Sequence, residues 1–151
     1  MAKGIKFAVT GDIALNKALK ALGSKLALKL ERKALRQVAK PVLADAKANA
    51  PVGETGDLKR ALKLRAMRRS RTRIGMQIVT SKGWFQGDTF YGAFQEFGWK
   101  TGKRGSDNRK QIPPKLYVTK AYEKHKGTIE AAWVNATRGL VDEAAREARS
   151  G

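Results

Sequence analysis

From Ile13 to about Ala50 apolar side chains recur at Leu15, Leu19, Leu22, Leu26 and Leu30, then at Leu35, Val38, Val42 and Ala46. Steps of three and four put them on one face of a long helix. Asp12 is placed to cap its start, while Gly23 and Pro41 fall inside the run and predict a bend or a division into two helices. Unbroken, it would be roughly 55 Å long. Pro51, Gly53 and Gly56 then end the pattern, with Thr55 or Asp57 available to cap the next element. Next, Leu62, Leu64 and Ala66 alternate with Lys63, Arg65 and Met67; after Arg69-Ser70-Arg71 a second alternation runs Thr72, Ile74, Met76, Ile78, Thr80. Period two on both sides of a short polar break predicts a β-hairpin.

The stretch from Lys82 to Gly98 is rich in glycine and aromatic residues, and its spacing fits either a short helix or a strand. Between Trp99 and Pro114, cations stand among Gly, Ser, Asp and Asn with Asp107 as the sole opposing charge, which predicts a solvated, mobile loop. Pro114 is placed to open a final helix whose apolar face is Val118, Ala121, Tyr122, His125, Ile129, Ala132, Trp133, Ala136 and Leu140. The expected fold class is α+β: a long N-terminal helix and a long C-terminal helix packed on a small antiparallel sheet that contains the hairpin. Over 151 residues, with no internal repeat or composition break, the pattern implies a single domain.

Composition narrows the chemistry. There is no cysteine, which removes disulfides and thiolate metal sites. No stretch approaches the roughly 20 apolar residues of a membrane span, and Met1 to Val9 holds no apolar run of signal-peptide length, so synthesis in the cytoplasm is expected. Charge changes the picture most: 32 Lys and Arg against 13 Asp and Glu leave a formal +19. Such self-repulsion opposes folding, so a polyanionic partner is the natural reason for it. Nucleic acid comes first. An anionic membrane surface ranks last, because the bulky anchors cluster between Trp84 and Trp99, outside the helical patterns.

No acidic residue occurs between Asp57 and Asp88, a stretch that carries Arg65, Arg68, Arg69, Arg71 and Arg73 in the hairpin. With Lys100, Lys103, Arg104, Arg109 and Lys110 of the following loop, these are the candidate DNA-facing residues, suited to neutralising phosphates without reading bases. An ordinary solvated hairpin is the plainer alternative. The rings near Tyr91, Phe94, Phe97 and Trp99 could stack on bases, but packing in the core or between subunits is the more ordinary role. Glu96, set among them, would need a partner if buried, and an arginine is expected. His125 is the only histidine, so no metal site can be completed around it, and it is expected to be structural. There is no phosphate-binding glycine loop and no nucleophile, base and acid set; no enzyme activity, metal or cofactor is expected.

Three segments, in order, resemble a phage family. Ala50-Pro51-Val52-Gly53-Glu54-Thr55-Gly56-Asp57-Leu58-Lys59 is similar to its alanine-proline and threonine-glycine signature after a long helix. Tyr91 to Gly98 resembles its tyrosine, four residues, glutamate-phenylalanine-glycine element, and Ile112-Pro113-Pro114 its proline-rich lead into the last helix. Leu116-Tyr117 and Thr119-Lys120 depart from the family's usual proline-phenylalanine and arginine-proline. The family is the gene-product-ten-like head-to-tail connector, or tail-completion, proteins of lambdoid-type phages. The resemblance implies a virion protein forming a homo-oligomeric ring, six copies preferred and twelve the other count, between the portal side of the head and the tail tube. Its neighbours would be head-closure (stopper), tail-terminator or tail-tube proteins, with DNA bound non-specifically and no membrane. Tyr91, Phe94, Glu96, Phe97 and Trp99 are the expected subunit interface. A free sequence-nonspecific DNA- or RNA-binding protein is the competing reading.

Overall fold

The computed structural model describes residues 17, 23–52, 56–68, 74–80, 91–102 and 109–150. Two long helices form its frame: α1 (Ser24–Asn49) and, at the other end of the chain, a 34-residue helix, Tyr117–Ser150. Between them lie α2 (Asp57–Ala61), β1 (Lys63–Ala66), β2 (Met76–Val79), α3 (Tyr91–Phe97), β3 (Trp99–Lys100) and β4 (Gln111–Ile112), so the last helix is α4. The class is mixed α+β, mostly helical, with two separate two-stranded antiparallel ladders.

Helices α1 and α4 run antiparallel, since Asp45 pairs with Lys124 and Lys33 with Glu143. Their contact is lined by small residues. Ala34, Ala46 and Ala121 are buried, and alanine lets two helix backbones approach closely where leucine would hold them apart. The buried face of α1 is therefore not the leucine series alone: Ala27, Ala34 and Ala39 join Leu30, Leu35, Val42 and Ala46, while Leu26, expected on that face, is 38% exposed. Leu15, Leu19, Leu22 and Asp12 lie outside the described residues. Gly23 caps α1 at φ 83°, its carbonyl accepting the Ala27 amide at 3.0 Å. Pro41 does not divide the helix. The chain is helical on both sides of it, although proline leaves the Gln37 carbonyl without its usual donor.

Two clusters of buried side chains follow the helix pair. The first joins Val42, Ala46 and Ala50 to Leu58 and Leu62, to Ile78 and Val79, and to Ala93, Tyr117, Val118 and Ala121. The second, further along the helices, centres on Leu30, Ala34 and Leu35 of α1, Met76 of β2, and Trp133 and Leu140 of α4. Of the expected α4 face, Val118, Ala121, Trp133 and Leu140 are buried and Ala132 is exposed.

The hairpin pairs Lys63 with Val79, Leu64 with Ile78, Arg65 with Gln77 and Ala66 with Met76, and the Met67 amide donates to the Gly75 carbonyl at 2.9 Å. Cross-strand partners share a face, so the Leu64–Ile78 pair turns inward while Lys63 and Arg65 take the other side. The second strand is shorter than its alternation suggested, because the ladder ends at Met76, and residues 69–73 lie outside the described ones. The element that follows the Ala50–Asp57 connector opens with a short helix, Asp57–Ala61. Its cap is Gly56, left-handed at φ 63°, while Asp57 is its first residue and pairs with Arg60 at 2.7 Å; Thr55 lies outside the described residues.

Candidate assembly and nucleic-acid-facing surface

The segment left open between helix and strand resolves, in its described part, into the seven-residue helix α3. So short a helix has too few internal hydrogen bonds to stand alone, and here it is clamped to the start of α4. Three carbonyls of its last turn find donors outside the helix: Phe94 from the Gly98 amide (2.8 Å), Gln95 from Lys115 (2.9 Å) and Glu96 from Leu116 (3.2 Å). The exchange is reciprocal. The Glu96 carboxylate accepts from the Val118 and Thr119 amides, both at 2.9 Å, and from the Thr119 hydroxyl at 2.6 Å. Those amides belong to the first turn of α4, where backbone donors lack partners and the helix dipole favours negative charge.

Leu116, the residue before α4, explains why Glu96 is needed. A leucine at that position offers no side-chain acceptor, so the cap arrives from another element. Leu116 also sits at φ 53°, costing a non-glycine residue about 1–2 kcal/mol. It is held there because its own amide is bound to Glu96 and its carbonyl accepts the Lys120 amide at 2.8 Å. The helix starts at Tyr117 rather than Pro114 because Leu116, left-handed at φ 53°, interrupts the right-handed helical run just before it.

The remaining motif residues act in the same clamp. The Tyr117 hydroxyl donates to the Gly92 carbonyl at 3.1 Å. Its burial, with the Glu96 and Tyr91 charges nearby, holds its pKa well above the usual phenol range. At Gly92 a Cβ would lie 2.5 Å from Leu58 Cδ1, so a side chain there would oblige the buried Leu58 side chain to shift. Gly98, at φ 74°, turns the chain out of α3 with the Ile112 carbonyl oxygen 2.6 Å from where a Cβ would be. The expected loop from Trp99 to Pro114 is thus ordered at both ends: Trp99 pairs with Ile112, Lys100 with Gln111, and the Thr101 amide donates to the Lys110 carbonyl at 2.9 Å. Ladder hydrogen bonds and the anchored α3 outweigh the like charge there; residues 103–108 lie outside the described ones.

Of the expected interface residues, Phe94 and Phe97 are 38% and 44% exposed, and Phe94 meets the half-buried Trp99 edge to face at 6.3 Å between centroids. Tyr91 is half-buried against the first core cluster. Glu96 is buried within its own subunit at 1% exposure, and backbone amides and a threonine take the place of the expected arginine. Of the expected DNA-facing residues, Arg65, Arg68, Lys100, Arg109 and Lys110 are exposed. Arg69, Arg71, Arg73, Lys103 and Arg104 lie outside the described residues. His125 is half-buried and its Nε2 lies 2.7 Å from Asp45 Oδ2; since a carboxylate only accepts, that nitrogen carries the proton. The capping role of Glu96 and the close approach of Gly92 to Leu58 and Tyr117 were not foreseen. The signal for the cap was a glutamate 22 residues before the Val118 amide that it binds, a separation no local pattern covers.

A family model described as "Bacteriophage HK97-gp10, putative tail-component" matches residues 13–98. The chain belongs to that family. The match spans α1, α2, the hairpin and α3, and it includes two of the three segments that carry the resemblance. No curated protein and no solved structure matches the chain significantly. Membership in the HK97 gp10-like family makes it a bacteriophage tail component, with other phage tail proteins as its surroundings. No helix among the described residues is long and apolar enough to cross a membrane.

Proposed function

We propose that this HK97 gp10-like protein is a non-enzymatic, single-domain subunit of the phage head-to-tail neck, present in the virion as a ring of six copies around the DNA exit path. The family match over residues 13–98 carries the reading. It is supported by a formal charge of +19, which suits a sleeve around packaged DNA, and by exposed Phe94 and Phe97 on a helix clamped at its base. Exposed rings on a rigid element are what a subunit interface buries. In this arrangement Phe94, Phe97 and Trp99 join neighbouring subunits, with Tyr91 and Glu96 supporting them from beneath. Arg65, Arg68, Lys100, Arg109 and Lys110, with Arg69, Arg71, Arg73, Lys103 and Arg104, face DNA non-specifically. Head-closure and tail-terminator or tail-tube proteins flank the ring.

A nonsense mutation of the gene in its phage tests this. Filled heads and complete tails accumulating unjoined are the expected outcome, seen by electron microscopy. Joined particles of normal infectivity would sink the neck reading and favour the second one, a free sequence-nonspecific nucleic-acid binder, for which the net charge alone speaks.

A further inference from the structure

The strongest charge asymmetry among the described residues lies away from the hairpin, along α1. Lys25, Lys29, Arg32, Lys33, Arg36 and Lys40 are all exposed. At 3.6 residues per turn they fall within an arc of roughly 100° and extend over roughly 22 Å of the helix. Four of the pairs they form are like charges four residues apart, an arrangement that opposes helix formation. The two carboxylates of α1 do not relieve it. Asp45 is bound to Lys124 and His125 of α4, and Glu31 is half-buried, its pKa raised by desolvation. Among the described residues the one ion pair that reaches the stripe is Lys33–Glu143 at 3.9 Å, with both side chains more than half exposed.

Helix α4 shows what an ordinary solvated face looks like in the same protein. There Glu123, Glu130, Asp142, Glu143 and Glu147 alternate with Lys120, Lys124, Lys126, Arg138 and Arg146. The α1 stripe lacks that interleaving, so its charge is not explained by solubility.

We infer that the exposed stripe of α1 is a second docking surface for the phosphate backbone of duplex DNA, separate from the hairpin and the β3–β4 ladder. The inference rests on the proposed function, in which the protein faces DNA. The composition of the stripe favours DNA over an acidic protein. Four of its six cations are lysines, which are depleted at protein interfaces, and no aromatic or methionine provides an apolar centre. The absence of rings also disfavours single strands, whose binding uses base stacking. A ridge of about 22 Å spans roughly six base pairs of duplex at 3.4 Å of axial rise each, within reach of phosphates of both strands. It reads no bases, as a passage for any sequence requires.

The test uses the full-length protein and a 30-base-pair duplex of mixed sequence, with affinity measured across a salt series. Wild type is compared with K29Q/R32Q/R36Q/K40Q and, separately, R65Q/R68Q. Glutamine keeps helix propensity, and circular dichroism checks the fold. Each lost phosphate contact lowers the slope of log affinity against log salt by about 0.9, so the stripe variant should lose about 3 to 4 from it. In wild-type protein, duplex should also protect Lys29, Lys33 and Lys40 from acetylation, a readout that does not depend on any variant folding. A stripe variant with wild-type slope, beside a hairpin variant that loses slope, overturns this inference and leaves the proposed function standing. The reverse result supports the inference and moves the DNA-facing surface off the hairpin. Loss of binding to poly-glutamate with duplex binding intact would assign the stripe to an acidic protein and overturn it. Absence of salt-dependent duplex binding by wild type would overturn both readings.

Discussion

Glu96 shows how a single side chain can hold two elements together. Its carboxylate caps α4 while its backbone carbonyl accepts from Leu116, so α3 and α4 each complete the other's unsatisfied end. Glutamine in its place keeps the shape but loses an acceptor and the charge. Because hydrogen bonds to charged groups contribute about 1.5–3 kcal/mol each, E96Q should destabilise the protein by roughly 2 kcal/mol in urea unfolding. A cost below about 0.5 kcal/mol would mean the cap is dispensable. Gly98→Ala should cost as much or more, since its Cβ meets the Ile112 carbonyl oxygen and its φ is 74°. Asp45 makes a pH prediction. Hydrogen bonds from Lys124 and His125 hold its pKa below the ordinary carboxylate value, so its folded pKa lies beneath the unfolded one. Its stabilising effect is complete above the unfolded pKa of about 3.9 and is lost as pH falls through the folded value. Thermal midpoints should therefore drop below about pH 4 in wild type, and less steeply in D45N.

The elements differ in how much of themselves they satisfy. Helix α1 tolerates Pro41 on its exposed side, with the Gln37 carbonyl lacking a helical donor. In P41A the recovered helix propensity is about 3 kcal/mol, a difference that already includes the greater freedom alanine leaves the unfolded chain. A net gain of up to about 3 kcal/mol is expected, and a destabilised P41A would show that the proline shapes the α1–α4 contact. Helix α3 is clamped at its base and exposes Phe94 and Phe97 at its rim. Replacing both by serine should leave the subunit folded, because neither is a buried core residue, while the proposed ring, if joined through these side chains, should shift toward monomer in light scattering. An unchanged mass distribution would remove these rings from the interface.

At the scale of the whole molecule, +19 is distributed unevenly: the α1 stripe is nearly pure cation and α4 is balanced. A ring of six, at six times +19, would carry about +114 before its neighbours are counted. Repulsion of this kind is screened over about 8 Å at physiological salt and about 3 Å at 1 M. The isolated protein should therefore be stabilised by added sodium chloride, its melting temperature rising between about 0.05 and 0.5 M. A flat or falling midpoint would mean that attractive ion pairs outweigh the repulsion.

Both long helices, the hairpin and the charge were legible along the chain because each is local: a period of three and four, a period of two, or a count. The alanine-lined contact was not, since Ala27, Ala34 and Ala39 are seen to be buried only once the chain has folded around them. The pairing of the two ends of the segment after Trp99 was hidden for a related reason. That segment's glycines and cations describe a loop, and only the anchoring of α3 on α4 brings Trp99 and Ile112 into register. Glu96 was marked as a buried charge needing a partner, and that much comes from its aromatic setting. The partner was a tertiary decision, because the first turn of α4 supplies unpaired amides only where the fold brings it to Glu96.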